Sequence, residues 1–133
     1  MKVVFDTNTV VSALLFTSGQ LSWLRHYWSI QNVTSLASKA TVDELIRVLA
    51  YPKFQLEADE INILLAEFIP YVTVVKVTAR KNNPRCREPG DQIFVDLAIS
   101  GKADVLVTGD KALLAMSLPC KVMTPREFKE RVT

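Results

Sequence analysis

Apolar residues follow two alternating patterns along this chain. Short consecutive runs read as buried strands: Val3–Phe5, Asn32–Leu36, Tyr71–Val77, Ala103–Val107 and Lys121–Met123. Between them, apolar residues recur every three or four positions, which predicts helices over Thr9–Phe16, Gln20–Ser29, 40–50 (ATVDELIRVLA), Glu57–Ile69, Asp91–Ser100 and the short KALLAM segment, and a last one from Pro125. The boundaries carry their own chemistry. Ser38 or Thr41 can cap the third helix, Pro70 stops the fourth, Gly101 ends the fifth, and Pro125 occupies a first helical position. Strand–helix alternation of this kind implies a parallel sheet with right-handed crossovers. The expected fold is α/β: a three-layer α/β/α sandwich around a central, mainly parallel sheet of four to five strands, in one domain over residues 1–133.

Composition narrows the chemistry. With 49% apolar and 23% charged residues, the chain has ample material for a core and no bias towards disorder. Its opening, MKVVFDTNTVV, meets an Asp inside the apolar run, so neither a signal peptide nor a membrane span is expected, and a cytoplasmic protein is. Two cysteines, Cys86 and Cys120, and one histidine, His26, argue against a Cys/His zinc site. His26 sits in the aromatic segment LSWLRHYWS and reads as a packed or surface residue rather than a base. Chemistry here must rest on carboxylates.

Two other features stay open. Residues 79–87, ARKNNPRCR, hold four cations and no acid, which fits either a solvated loop or a phosphate-tracking patch. In Gln20–Ser29, Leu21, Leu24 and Trp28 form one stripe, and Trp23 with Tyr27 a second. The second stripe is either extra core or a partner interface.

In a parallel sheet, the C-terminal strand ends and the helix N-termini that follow them share one edge, where ligands bind. Asp6 follows the first strand, and Glu44 lies early in the helix after the second. Asp91 opens the helix after the third, and Asp110 follows the fourth. Asp104 begins a strand and belongs on the opposite edge, while Asp43 should face away from Glu44 at the surface. One Asp near a helix start is commonly a cap. Four acids on one edge make six like-charge pairs, each worth about 1–4 kcal/mol at close range, a sum that can rival the ~5–15 kcal/mol stability of a domain. Such a cluster must take up protons or bind a cation, and oxygen ligands select a hard one, Mg²⁺ or Mn²⁺. A site of that kind works naturally at phosphates, which points to a metal-dependent phosphoester hydrolase.

The residues that carry this reading also carry a resemblance. VVFDTNTVVSALL, ATVDELIRVLAYPKF and CREPGDQIFVDLAISGKADVLVTGDKALL together resemble the PIN-domain family, in particular VapC-like ribonuclease toxins of type II toxin–antitoxin pairs. The resemblance implies a divalent-cation-dependent endoribonuclease whose acids Asp6, Glu44, Asp91 and Asp110 hold Mg²⁺ or Mn²⁺, with Asn8 and Thr108 orienting the ligands by hydrogen bonds. It also implies an RNA substrate, a homodimer and a cognate antitoxin. The chain departs from close relatives in the EPGDQ segment, where Gly90 and Gln92 are neutral. Asp96 lies five positions beyond Asp91, about 140° round a helix, and reads as a supporting or solvated residue. Two other readings compete: a non-catalytic RNA- or protein-binding module on the same fold, and a small-molecule phosphatase of the haloacid-dehalogenase type, which would need an acid where Asn8 stands.

Overall fold

A computed structural model describes residues 1–16, 18–30, 33–78 and 82–133. The elements run β1 (Lys2–Phe5), α1 (Thr7–Leu15), α2 (Trp23–Ser29), β2 (Thr34–Ala37), α3 (Lys39–Leu49), α4 (Ala58–Leu65), β3 (Val72–Val74), α5 (Gln92–Ser100), β4 (Val105–Val107), α6 (Lys111–Leu114), β5 (Lys121–Met123) and α7 (Pro125–Val132). The five strands form one sheet in the order β3-β2-β1-β4-β5, and every pairing is parallel. β1 lies at the centre, in register with Thr34 and Ser35 on one side and with Val105, Leu106 and Val107 on the other.

Both faces of β1 are buried, which explains its unbroken apolar run. Val3 and Phe5 face one core with Trp28, Leu24, Leu45, Leu49 and Phe128. Val4 faces the other with Leu36, Phe94, Leu97, Leu106 and Leu113. The second aromatic stripe of α2 belongs to the first of these cores. Trp23 stacks on Phe128 of α7 with ring centroids 6.2 Å apart, and Tyr27 meets the same ring edge-on at 5.7 Å. α7 thus covers the surface that α2 could not bury alone.

Several expected elements are shorter than the pattern suggested. α2 begins at Trp23 rather than Gln20, and α4 ends at Leu65, followed by a 3₁₀ turn over Ile69–Tyr71. β3 keeps only three of the seven expected residues, because past Val75, whose amide still bonds the Ala37 carbonyl, the edge strand has no further partner backbone. The start of the second expected strand, Asn32, and part of the basic stretch, Ala79, Arg80 and Lys81, lie outside the described residues.

Gly101 does end α5, for a different reason than the one expected. Its backbone is not left-handed; Lys102 takes that conformation, at φ 52°. A Cβ on Gly101 would lie 2.7 Å from the Leu36 side chain and 3.1 Å from the Leu97 carbonyl oxygen. Close packing against β2 is what requires glycine there.

Candidate active site

Asp6 sits one residue beyond β1 and is the N-cap of α1. Its Oδ1 accepts from the Thr9 amide at 2.9 Å, its Oδ2 accepts a short bond from the Thr108 hydroxyl, and the residue is almost wholly buried. Burial pushes its carboxyl above the usual range, against the Thr108 and Thr9 hydrogen bonds that pull it down; the charge of Asp110 adds a further upward push.

Thr108, fully buried just past β4, serves two acids through one hydroxyl. It donates to Asp6 and accepts the amide of Asp110 at 2.9 Å. Asp110 in turn caps α6, with Oδ1 accepting from the Ala112 amide at 2.8 Å. Glu44 lies in the second turn of α3, a helix started by a capping box between Ser38 and Thr41. Its Oε2 accepts from the Thr7 hydroxyl at 3.1 Å, and its Oε1 lies 3.6 Å from the Arg47 guanidinium. Thr7 therefore plays the part expected of Asn8. Asn8 is an exposed residue of α1, and among the described residues no side-chain hydrogen bond reaches it. A Thr directly after the N-cap, on the face α1 turns to α3, was the signal available for Thr7.

Asp91 closes a 3₁₀ turn over Pro89–Asp91 and is the residue before α5. It is not locked as a cap, since its side chain makes no capping bond. Its Oδ2 is buried, and among the described residues no N–H or O–H reaches it. The neighbour that acts most on this carboxyl is Asp110, another acid, and its nearness holds Asp91 towards the protonated form. Burial, the shared proton with Asp110, and then the charges of Asp110, Asp6 and Glu44 push the Asp91 carboxyl up to about 7. Asp91 thus feels the charge of each of the other three acids at this rim. Asp104 is on the opposite edge, where its carboxylate accepts from the Lys2 amide at 2.7 Å, and Asp43 pairs with Lys39 at the surface.

The chemistry of these donors suits a hard divalent ion: oxygen atoms only, one of them buried and without a donor. Among the described residues no three His, Cys, Asp or Glu side chains are grouped so that they could hold one metal ion. Asp91 has Asp110 as its main acidic neighbour, with Asp6 and Glu44 acting on it through their charge. That suits an ion which retains much of its water, as Mg²⁺ does.

Comparison with known proteins bears on the family and the fold. The family model described as the PIN domain matches residues 2–112, a span that contains all four acids. An uncharacterized protein of Methanocaldococcus jannaschii is 27% identical over 141 residues, covering 98% of this chain and 90% of its own length. Among solved structures, a chain of VapBC2 from Rickettsia felis, crystallised bound to a DNA fragment from its promoter, superposes with a TM-score of 0.66 at 15% identity, over 93% of this chain and 98% of that one. A protein of Pyrobaculum aerophilum superposes with a TM-score of 0.61 at 16% identity, over 99% and 89%. At these identities the structural likeness concerns the fold.

Proposed function

The chain belongs to the PIN-domain family, and from that premise we propose that it is a divalent-metal-dependent endoribonuclease, the toxin of a toxin–antitoxin pair. The observation that carries the reading is the buried Oδ2 of Asp91, which among the described residues has no hydrogen-bond partner, on a carboxyl that Asp110, Asp6 and Glu44 all push up. Asp91 and Asp110 would hold Mg²⁺ or Mn²⁺, with Asp6 and Glu44 completing the negative site. Bound there, the ion would lower the pKa of a water and stabilise charge on the leaving oxygen of a phosphodiester.

The chain's own residues prepare that chemistry. The Thr108 hydroxyl fixes the rotamer of Asp6 and the backbone of Asp110 together, so the two acids cannot drift apart independently. Thr7 holds Glu44 by one oxygen, and Arg47 steadies the other. Glu44 retains one-fifth of its side-chain surface and is the acid we assign to take a proton from the attacking water. The resemblance to VapC-like toxins, and a fold shared with a VapBC2 chain, support an RNA substrate, a cognate antitoxin and a homodimer. A cytoplasmic location is part of this reading; among the described residues no helix is long and apolar enough to cross a membrane.

The test is cleavage of structured RNA by purified protein. Chelation should abolish it, Mn²⁺ or Mg²⁺ should restore it, and Asp6→Asn should remove it. Cutting that persists in excess EDTA contradicts the reading. RNA binding without cleavage in any divalent ion would favour the binding module instead.

A further inference from the structure

Next to the acid pair, the loop that leads into α5 is tied to that helix by a polar cluster outside the proposed chemistry. Gln92, the residue after Asp91, accepts the Cys86 amide at 2.8 Å through Oε1. Through Nε2 it donates to the Pro84 carbonyl at 3.0 Å and to Asp96 Oδ1 at 3.1 Å. The same Asp96 oxygen accepts from the side-chain amide of Asn83 at 3.0 Å. Asn83 is buried, and the Cys86 side chain is sunk in the core against α5. Residues 83–86 are thus held by side chains where no strand ladder holds them. Ordering four residues opposes folding, and a merely solvated loop has no need of it.

What the cluster fixes in place is a pair of cations. Arg85 and Arg87, on either side of the buried Cys86, are both exposed, and among the described residues neither enters an ion pair. Their backbone is anchored to the residue adjoining Asp91. Each guanidinium offers a planar, always-charged fork suited to phosphate oxygens.

We propose that Gln92, Asp96 and Asn83 form a clamp that holds Arg85 and Arg87 as a phosphate-binding edge, on which the RNA strand rests beside the cleavage site. The proposal builds on the nuclease reading and makes the three clamp members positioning residues. Arg85 and Arg87 supply ground-state binding, so their removal should raise KM and leave kcat alone. Asp96 serves only as an acceptor, so an amide oxygen can replace it.

The experiment is steady-state cleavage of a labelled RNA by the full chain in Mn²⁺ at several salt concentrations, with melting temperature and Mn²⁺ affinity recorded for each variant. For the double variant Arg85→Ala/Arg87→Ala we expect KM to rise about tenfold with kcat within about twofold. The slope of log(kcat/KM) against log[salt] should become shallower by about 0.7 for each phosphate that is no longer neutralised, roughly 1.4 for both arginines. Asp96→Ala and Gln92→Ala should move KM and the slope in the same direction, and Asp96→Asn should restore both. The exposed arginine pair keeps the test decisive should a clamp variant fold poorly. Unchanged KM and slope in the arginine variant, with an active wild type, overturn the phosphate edge and leave the nuclease reading standing. A fall in kcat and Mn²⁺ affinity for Asp96→Ala, with KM unchanged, overturns it too, since the clamp would then serve Asp91 rather than the arginines. A wild type that cleaves no RNA in Mn²⁺ overturns the nuclease reading, and this proposal with it.

Discussion

Without a divalent ion at pH 8, Asp91 must carry its negative charge near Asp110, with no donor to its Oδ2 among the described residues. Its carboxyl is raised from an ordinary 3.8 to about 7, so the folded protein binds a proton that the unfolded chain releases. Stability is then fully present below about pH 4 as far as this group is concerned, and is lost as pH rises through 7. Chemical denaturation in EDTA should show that decline between pH 5 and about 8, and Asp91→Asn should flatten it. An unchanged slope in the variant would mean that the charge lies elsewhere. Thr108 makes a second prediction at this scale. Thr108→Val strips Asp6 of a donor and leaves the Asp110 amide unpaired, so it should lower unfolding free energy by about 1–3 kcal/mol while barely changing side-chain volume. A neutral result would show that neither bond matters to the fold.

At the scale of elements, what could be read in advance was what strand ends and helix starts dictate. Placing Asp6, Glu44, Asp91 and Asp110 on one edge needed only the order of strands and helices, and Asp104 on the other edge followed from the same rule. The partners of these acids were harder to see, since they depend on which way a side chain turns. Thr7 rather than Asn8 faces Glu44, and Gln92 pairs with Asp96 at the i, i+4 spacing of a helix although neither stood out as chemistry. Trp23 and Tyr27 were ambiguous because the helix that covers them, α7, comes a hundred residues later. Two substitutions probe elements that position the site. Ser38→Ala removes the cap of α3, the helix that carries Glu44, and should reduce stability by about 1 kcal/mol in equilibrium unfolding. Gly101→Ala should destabilise by about 1–3 kcal/mol, because the added methyl meets Leu36 and the Leu97 carbonyl. Stabilisation would show that Leu36 gives way freely.

For the molecule as a whole, the sheet is a rigid frame that brings like charges to one rim from residues as far apart as 6 and 110; a proton on Asp91 relieves them, and in the proposed function a metal does so instead. The two compete for one place. Metal binding below pH 7 should therefore release protons, and it should raise the melting temperature most at high pH, where the uncompensated charge is greatest. The most direct measurement is a calorimetric titration of Mn²⁺ into wild-type protein and Asp91→Asn at pH 8 and pH 6, each in buffers of different ionisation enthalpy. We expect saturable binding by the wild type, close to one proton released per site at pH 6 and few at pH 8, and an affinity at least about tenfold weaker in Asp91→Asn. No binding by the wild type, or equal binding by the variant, would contradict a metal site at this rim.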